Sequence, residues 1–139
     1  MDERDLALRN RIYSQLVELG RVPMIAETGG DESALRRLHE EHALVLEADG
    51  SAIRMAAPFS GVPTPYRVEA GGREWFGNCA WDALGIPAAL GVDGRVSATC
   101  LDCGGALEVE VRSGRPDPDD LVAHFLLPAR RWWDDIVFT

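Results

Sequence analysis

Cysteine and aspartate three residues apart, in Cys79-Ala80-Trp81-Asp82, are the pair in this chain with the most chemistry to offer. On a helix that spacing puts both side chains on one face, about a turn from each other. A cysteine in the first helical turn meets unpaired backbone N–H groups and the positive end of the helix dipole. Both favour a thiolate over a thiol whose free pKa is about 8.5. Asp82 is then placed to take that proton, or to give one to something bound on the sulfur. A soft thiolate beside a carboxylate proton carrier suits a soft metal such as Hg, Cu(I) or Zn. The same residues also fit a small buried hydrophobe beside an ordinary acid, because free cysteines are among the most buried residue types. Spacing alone does not choose between the two.

The second group is Cys100-Leu101-Asp102-Cys103-Gly104-Gly105, a C-x-x-C that looks like half of a zinc knuckle. A structural zinc site needs four ligands, and the chain has one such pair. Cys79 and a histidine could complete a Cys3His set, but two buried or loose thiols fit as well. His39 and His42 sit i, i+3 in His-Glu-Glu-His, whereas the H-E-x-x-H metal motif spaces its histidines by four. They read as two solvated helix histidines. His124 falls in an apolar stretch and reads as a hydrogen-bonded core or edge residue. Trp132-Trp133 reads as packing, and Asp117, Asp119 and Asp120 as solvated loop carboxylates.

The elements that must position these residues can be traced along the chain. Over residues 5–19 the apolar residues Leu6, Ile12, Tyr13, Leu16, Val17 and Leu19 recur near helical spacing, and Gly20 ends the pattern. Pro23 restarts a short segment that Gly29-Gly30 breaks, and Asp31 can cap a third helix through Leu38 or beyond. Two short apolar runs, Leu44 to Leu46 and Ile53 to Met55, flank Asp49-Gly50, a hairpin signal. Three helices and a hairpin predict a winged-helix-like module over residues 1–56. Residues 56–66 hold three prolines and predict an extended surface connector. A second hairpin is expected around Gly71-Gly72. A short helix should follow, with Asn78 as its cap and Gly85 and Pro87 limiting its length. Arg95 to Thr99 and Ala106 to Val111 alternate as strands around the C-x-x-C, Ser113 to Asp120 reads as a polar loop, and Val122 to Leu127 as a final strand. The fold class is α+β: a helical N-terminal module, then a small, mostly antiparallel sheet over residues 57–139 with a short helix carrying Cys79.

Composition narrows the function. The chain has 139 residues, 46% hydrophobic and 27% charged, which is ordinary for one globular domain or one domain with an appendage. Its 14 basic residues are all arginine, so Schiff-base lysine chemistry and a P-loop are excluded. A net charge of −9 opposes nucleic acids and anionic membranes, whose affinities rest on phosphate contacts. Residues 1–50 hold 6 arginines against 11 acids, so a DNA-binding role for the winged-helix-like module is not expected. No apolar run approaches the roughly 20 residues of a membrane span. Met1-Asp2-Glu3-Arg4-Asp5 lacks the apolar core of a signal peptide, and three cysteines then point to free thiols in a reducing cytoplasm.

Two stretches carry a resemblance to a known family. Ala57-Pro58-Phe59-Ser60-Gly61-Val62-Pro63-Thr64-Pro65 and Asn78-Cys79-Ala80-Trp81-Asp82-Ala83-Leu84-Gly85-Ile86-Pro87 resemble organomercurial (alkylmercury) lyases, and Leu127-Pro128-Ala129-Arg130-Arg131-Trp132-Trp133-Asp134-Asp135-Ile136 is similar to them too. The Cys-x-x-Asp run followed by Ile-Pro is the most specific element. The resemblance implies protonolysis of a carbon–mercury bond to a hydrocarbon and Hg(II). Cys79 would bind the organomercurial as a thiolate and Asp82 would handle the proton that ends on carbon. No cofactor is required, Hg(II) is a product ligand, and bound Zn or Cu remains open. The implied partners are a small organomercurial, small thiols and a mercury-accepting reductase.

The chain departs from the family at one point. The family's second catalytic cysteine follows the stretch that here reads Arg131 to Thr139, where this sequence stops. Cys100 matches a position usually read as structural, Cys103 is extra, and Cys103 supplies the missing ligand only if its loop reaches Cys79. Without a second thiol near Cys79, mercury binding with weak or absent cleavage is expected. The alternative is then a non-catalytic thiol protein that binds or senses a soft metal through Cys79, Cys100 and Cys103.

Overall fold

A computed structural model describes residues 1–138; Thr139, the end of the last stretch compared above, lies outside the described residues. Helix α1 (Glu3–Leu19) is capped by the Asp2 carboxylate, which accepts the Asp5 N–H at 2.8 Å. Gly20 ends it in the left-handed conformation (φ 72°), its N–H returning to the Leu16 carbonyl at 2.9 Å. Leu8, Ile12 and Leu16 line one face at i, i+4 spacing and are all buried. After the single turn α2 (Ile25–Thr28), helix α3 (Glu32–Glu40) starts on Asp31, which accepts the Ala34 N–H at 2.7 Å. Leu35 and Leu38 bury α3, and its Arg37 reaches across to the buried Asp5 of α1 at 2.9 Å.

Strands β1 (Val45–Leu46), β2 (Ile53–Ala56) and β3 (Phe59–Ser60) form a three-stranded antiparallel sheet in that order. β3 lies where the prolines predicted a surface connector. Phe59 is buried and pairs with Ala56, so the segment is extended but sits inside the fold. Its ring meets Trp75 with centroids 5.1 Å apart, and a bridge from Phe59 to Gly77 joins the first sheet to the second.

The second sheet is fully antiparallel, in the order β5-β4-β6-β7-β8. Its strands are β4 (Arg67–Ala70), β5 (Arg73–Phe76), β6 (Gly94–Thr99), β7 (Ala106–Arg112) and β8 (Arg115–Asp117). The expected hairpins are present, with Gly71 and Gly72 both at positive φ in the β4–β5 turn. β8 replaces part of the expected polar loop and takes the outer edge beside β7, where a proline is tolerated. Residues 122–127 pair with neither edge of this sheet. They form no strand, and Val122 and Leu126 are exposed.

Helix α4 (Ala80–Leu90) packs on β4 and β6 through Ala83, Ile86 and Pro87. It runs through Gly85 and Pro87, which were expected to stop it. Pro87 supplies no N–H to the Ala83 carbonyl one turn back but is itself buried, and Gly91 (φ 67°) closes the helix instead. One apolar core runs from Leu8 of α1 through Ile53, Phe59 and Trp75 to Val96 and Val111 of the second sheet.

Candidate active site

Gly77 decides where α4 begins. A Cβ at that position would lie 2.6 Å from the Ala83 nitrogen and 2.8 Å from its Cα, so only glycine lets the first turn of α4 sit against the end of β5. The backbone then swings into α4 at Cys79, which is the N-cap in extended conformation, its carbonyl accepting the Ala83 N–H at 2.9 Å. Asn78 was expected to be the cap. Instead its side-chain amide donates to Asp82 Oδ2 at 2.8 Å, and its own Oδ1 is buried without a partner. An Asn–Asp pair at i, i+4 was visible in the sequence and is the signal that would have found this contact.

Asn78, Cys79 and Asp82 share the wall of a cleft of about 410 Å³. Leu44, Val45 of β1 and Met55 of β2 form another wall. The C-terminal segment closes the third side with Phe125, Trp132 and Ile136 among its contacts. There Pro128 leads into a 3-10 turn (Ala129–Asp134), and the Trp132 indole donates to the Leu127 carbonyl at 3.0 Å while packing on Phe125. Trp133 lies flat on His42, centroids 3.8 Å apart and planes within 7°.

His42 is exposed, as expected, but lies beyond the end of α3. It follows α3 in a left-handed conformation (φ 60°) and stacks at the cleft, while half-buried His39 accepts the Leu46 N–H on Nδ1 at 3.2 Å. His124 is exposed and lies in no strand. Neither the roles of His42 and the C-terminal rings nor that of Tyr13 was readable from local spacing.

Burial sets the electrostatics. The half-buried Cys79 thiol is pushed up by loss of solvent; the N–H groups of Asp82 and Trp81 pull it down, and the Asp82 charge adds to the rise. The expected helix-terminus activation is present in those N–H groups, but desolvation outweighs it. Asp82 is also raised by burial, with the Asn78 amide opposing. Tyr13 of α1 lies close enough to feel the Asp82 charge. Burial raises its phenol first and the Arg9 guanidinium, 4.7 Å from the ring centre, lowers it, while its hydroxyl donates to the Ala57 carbonyl at 2.8 Å. Burial thus shifts both the thiol and the carboxyl toward their protonated forms. Such a pair can exchange a proton for a soft metal on sulfur and return a proton through the carboxyl.

Cys100 and Cys103 are together on the turn joining β6 to β7 and do not line this cleft. Among the described residues no group of three or more His, Cys, Asp or Glu side chains is arranged to hold a metal ion. None of the helices there is long and apolar enough to cross a membrane.

No curated protein sequence matches the chain. The crystal structure of the mercury-bound form of MerB2 superposes with a TM-score of 0.63 at 27% sequence identity, covering 86% of this chain and 62% of that one. The chain therefore spans less than two thirds of the length of that solved relative. The family described as MerB, alkylmercury lyase, matches residues 59–139, more than half of the chain and the whole stretch that carries Cys79, Asp82 and the C-terminal cover. On that match, the chain belongs to the alkylmercury lyase family.

Proposed function

We propose that the chain cleaves carbon–mercury bonds by protonolysis in the cleft of Cys79 and Asp82. The observation that carries this reading is that the two side chains, one turn apart, face the same largely apolar cavity, where burial keeps both inclined to hold protons. Cys79 exchanges its thiol proton for the organomercury cation, giving R–Hg–S(Cys79). Mercury here is substrate, and the surrounding rings and aliphatic side chains suit its organic group.

Cleavage needs a proton on carbon and a new ligand on mercury. Cys79 is the one thiol lining the cleft among the described residues, so a small thiol R′SH from solution supplies both. Asp82 takes the proton of R′SH and delivers it to the carbon of R. The Hg–C bond breaks, RH leaves, and mercury remains as R′S–Hg–S(Cys79). A second R′SH protonates the Cys79 sulfur as it leaves mercury, releasing Hg(SR′)2. The overall balance is one organomercury cation and two thiols giving one hydrocarbon, one Hg(SR′)2 and one proton, with no change of oxidation state.

The lone thiol in the cleft also favours a second reading, a mercury-binding protein without turnover. Hydrocarbon release from a simple organomercurial in excess thiol separates the two. Repeated release that is lost in both Cys79→Ser and Asp82→Ala supports the lyase. One equivalent of bound mercury without release establishes the binder.

A further inference from the structure

The β6–β7 turn carries two sulfurs that the cleft chemistry leaves unused. Cys100 follows directly on β6, and the turn is closed by its N–H bonding the Gly105 carbonyl at 2.8 Å and the Gly104 N–H bonding the Cys100 carbonyl at 2.9 Å. Gly104 takes the left-handed conformation this requires (φ 71°). The chain thus folds back at Cys100 to Cys103, where the backbone N–H groups of Cys103 and Asp102 and the Cys103 thiol hold the Cys100 thiol below its usual range. A side chain on Gly105 would stand 3.3 Å from the Cys103 sulfur, so glycine keeps that approach open. Both cysteines are free, Cys103 is exposed, and Leu101 between them points to solvent at 86% exposure.

Two adjacent thiols on a closed, solvent-facing turn make a chelate. With no third His, Cys, Asp or Glu arranged beside them among the described residues, the pair cannot give zinc the four ligands it takes in structural sites. An ion satisfied by two thiolates is left, and Hg(II), which binds two sulfurs in a linear arrangement, is the soft ion the proposed reaction releases. We propose that Cys100 and Cys103 form a second mercury site, outside the cleft, that takes Hg(II) from its complexes with small thiols. The exchange is Hg(SR′)2 plus two cysteine thiols giving a Cys100–Hg–Cys103 bridge and two R′SH, with each proton moving to a departing sulfur. The choice of mercury rests on the cleft reading, whereas the two-sulfur chelate does not.

The experiment uses the full chain with Cys79→Ser, so that the cleft thiol cannot contribute. Reduced protein receives one equivalent of mercuric chloride and is then challenged with increasing concentrations of a small monothiol. Intact mass and a thiol assay are read at each step. The proposal expects one Hg per chain, a mass gain of one mercury less two protons, and both remaining thiols masked. In Cys79→Ser with Cys103→Ser, or with Cys103→Ala, the monothiol concentration that removes half the mercury falls on the order of 100-fold, the size of a chelate's effective-concentration advantage. Equal stripping from the single- and double-substituted chains overturns the chelate, as does mercury bridging two chains. Because hydrocarbon release plays no part in this readout, a failure here leaves the cleavage reading standing, and a chain that never cleaves can still pass.

Discussion

Replacing Asn78 with alanine isolates the one polar contact that holds Asp82 toward its charged form. The Asn78 amide donates to Asp82 Oδ2 at 2.8 Å, and burial of the carboxyl works against it. A hydrogen bond to a charged acceptor contributes about 1.5–3 kcal/mol, and one between neutral partners about 0.5–1.5 kcal/mol. Their difference, about 1–1.5 kcal/mol, is what Asn78→Ala removes from the carboxylate relative to the carboxylic acid. Screening in an open cleft favours the lower half. At 1.36 kcal/mol per tenfold, the proton affinity of Asp82 rises roughly five- to eightfold.

The sign for stability follows from the same contact. A carboxyl whose folded pKa lies above its unfolded value binds more protons in the native state. Stability therefore falls as pH rises from the unfolded value to the folded one. Asn78→Ala extends that fall to higher pH, although it also removes the buried, unpartnered Oδ1 of Asn78 and so relieves a separate cost of about 1–3 kcal/mol. The variant should be as stable as the parent or better at acid pH and lose ground as Asp82 ionises. Carbon NMR of the Asp82 carboxyl, assigned with Asp82→Asn, reads the titration directly, and thermal unfolding across pH reads the stability. An Asp82 midpoint that stays put or moves down, in a variant whose amide spectrum shows an intact fold, would refute the reasoning.

Two further outcomes test the geometry around this contact. Asp82→Asn removes the negative charge that helps hold the Cys79 thiol up, so alkylation of Cys79 by a neutral reagent near neutral pH should become faster; slower alkylation would mean that Asp82 serves as the base that generates the thiolate. Gly77→Ala forces a Cβ to within 2.6 Å of the α4 backbone and should cost about 1–3 kcal/mol by overpacking, read as a lower unfolding midpoint together with altered Cys79 alkylation, and an unchanged midpoint would remove Gly77 from the list of positioning residues.

Much of the frame was legible because local rules agreed with the tertiary outcome. The apolar spacing in α1, Gly20 as its stop and Asp31 as the cap of α3 each describe an interaction within a few residues. The same holds for the tight turn at Gly71-Gly72 and the strands flanking Cys100 to Gly105. What escaped depended on distant partners. β3 is two residues long and flanked by prolines, and only its pairing with β2 makes it a strand. Residues 122–127 are nearly all apolar, which fits a strand locally, but they pair with neither sheet and leave Val122 and Leu126 exposed. In α4 the local signals at Gly85 and Pro87 were overridden by packing against the second sheet.

The site shows the same division at the level of chemistry. Sequence placed Cys79 and Asp82 on one helical turn, and the fold keeps them there, but local reasoning assigned the thiol the wrong direction. Helix N–H groups do reach the sulfur; the burial that outweighs them comes from a cavity walled by Leu44 and Met55 on one side and Phe125 and Trp132 on the other. That outcome suits protonolysis better than a free thiolate would. A permanently ionised Cys79 beside an ionised Asp82 would leave the cleft without a proton and with two like charges repelling each other. A desolvated pair releases its thiol proton when mercury arrives to take the sulfur's charge, and it retains a carboxyl with enough proton affinity to carry the next proton to carbon. The walls that push both groups toward their neutral forms are therefore part of the proposed catalytic device, and they are assembled from both ends of the chain.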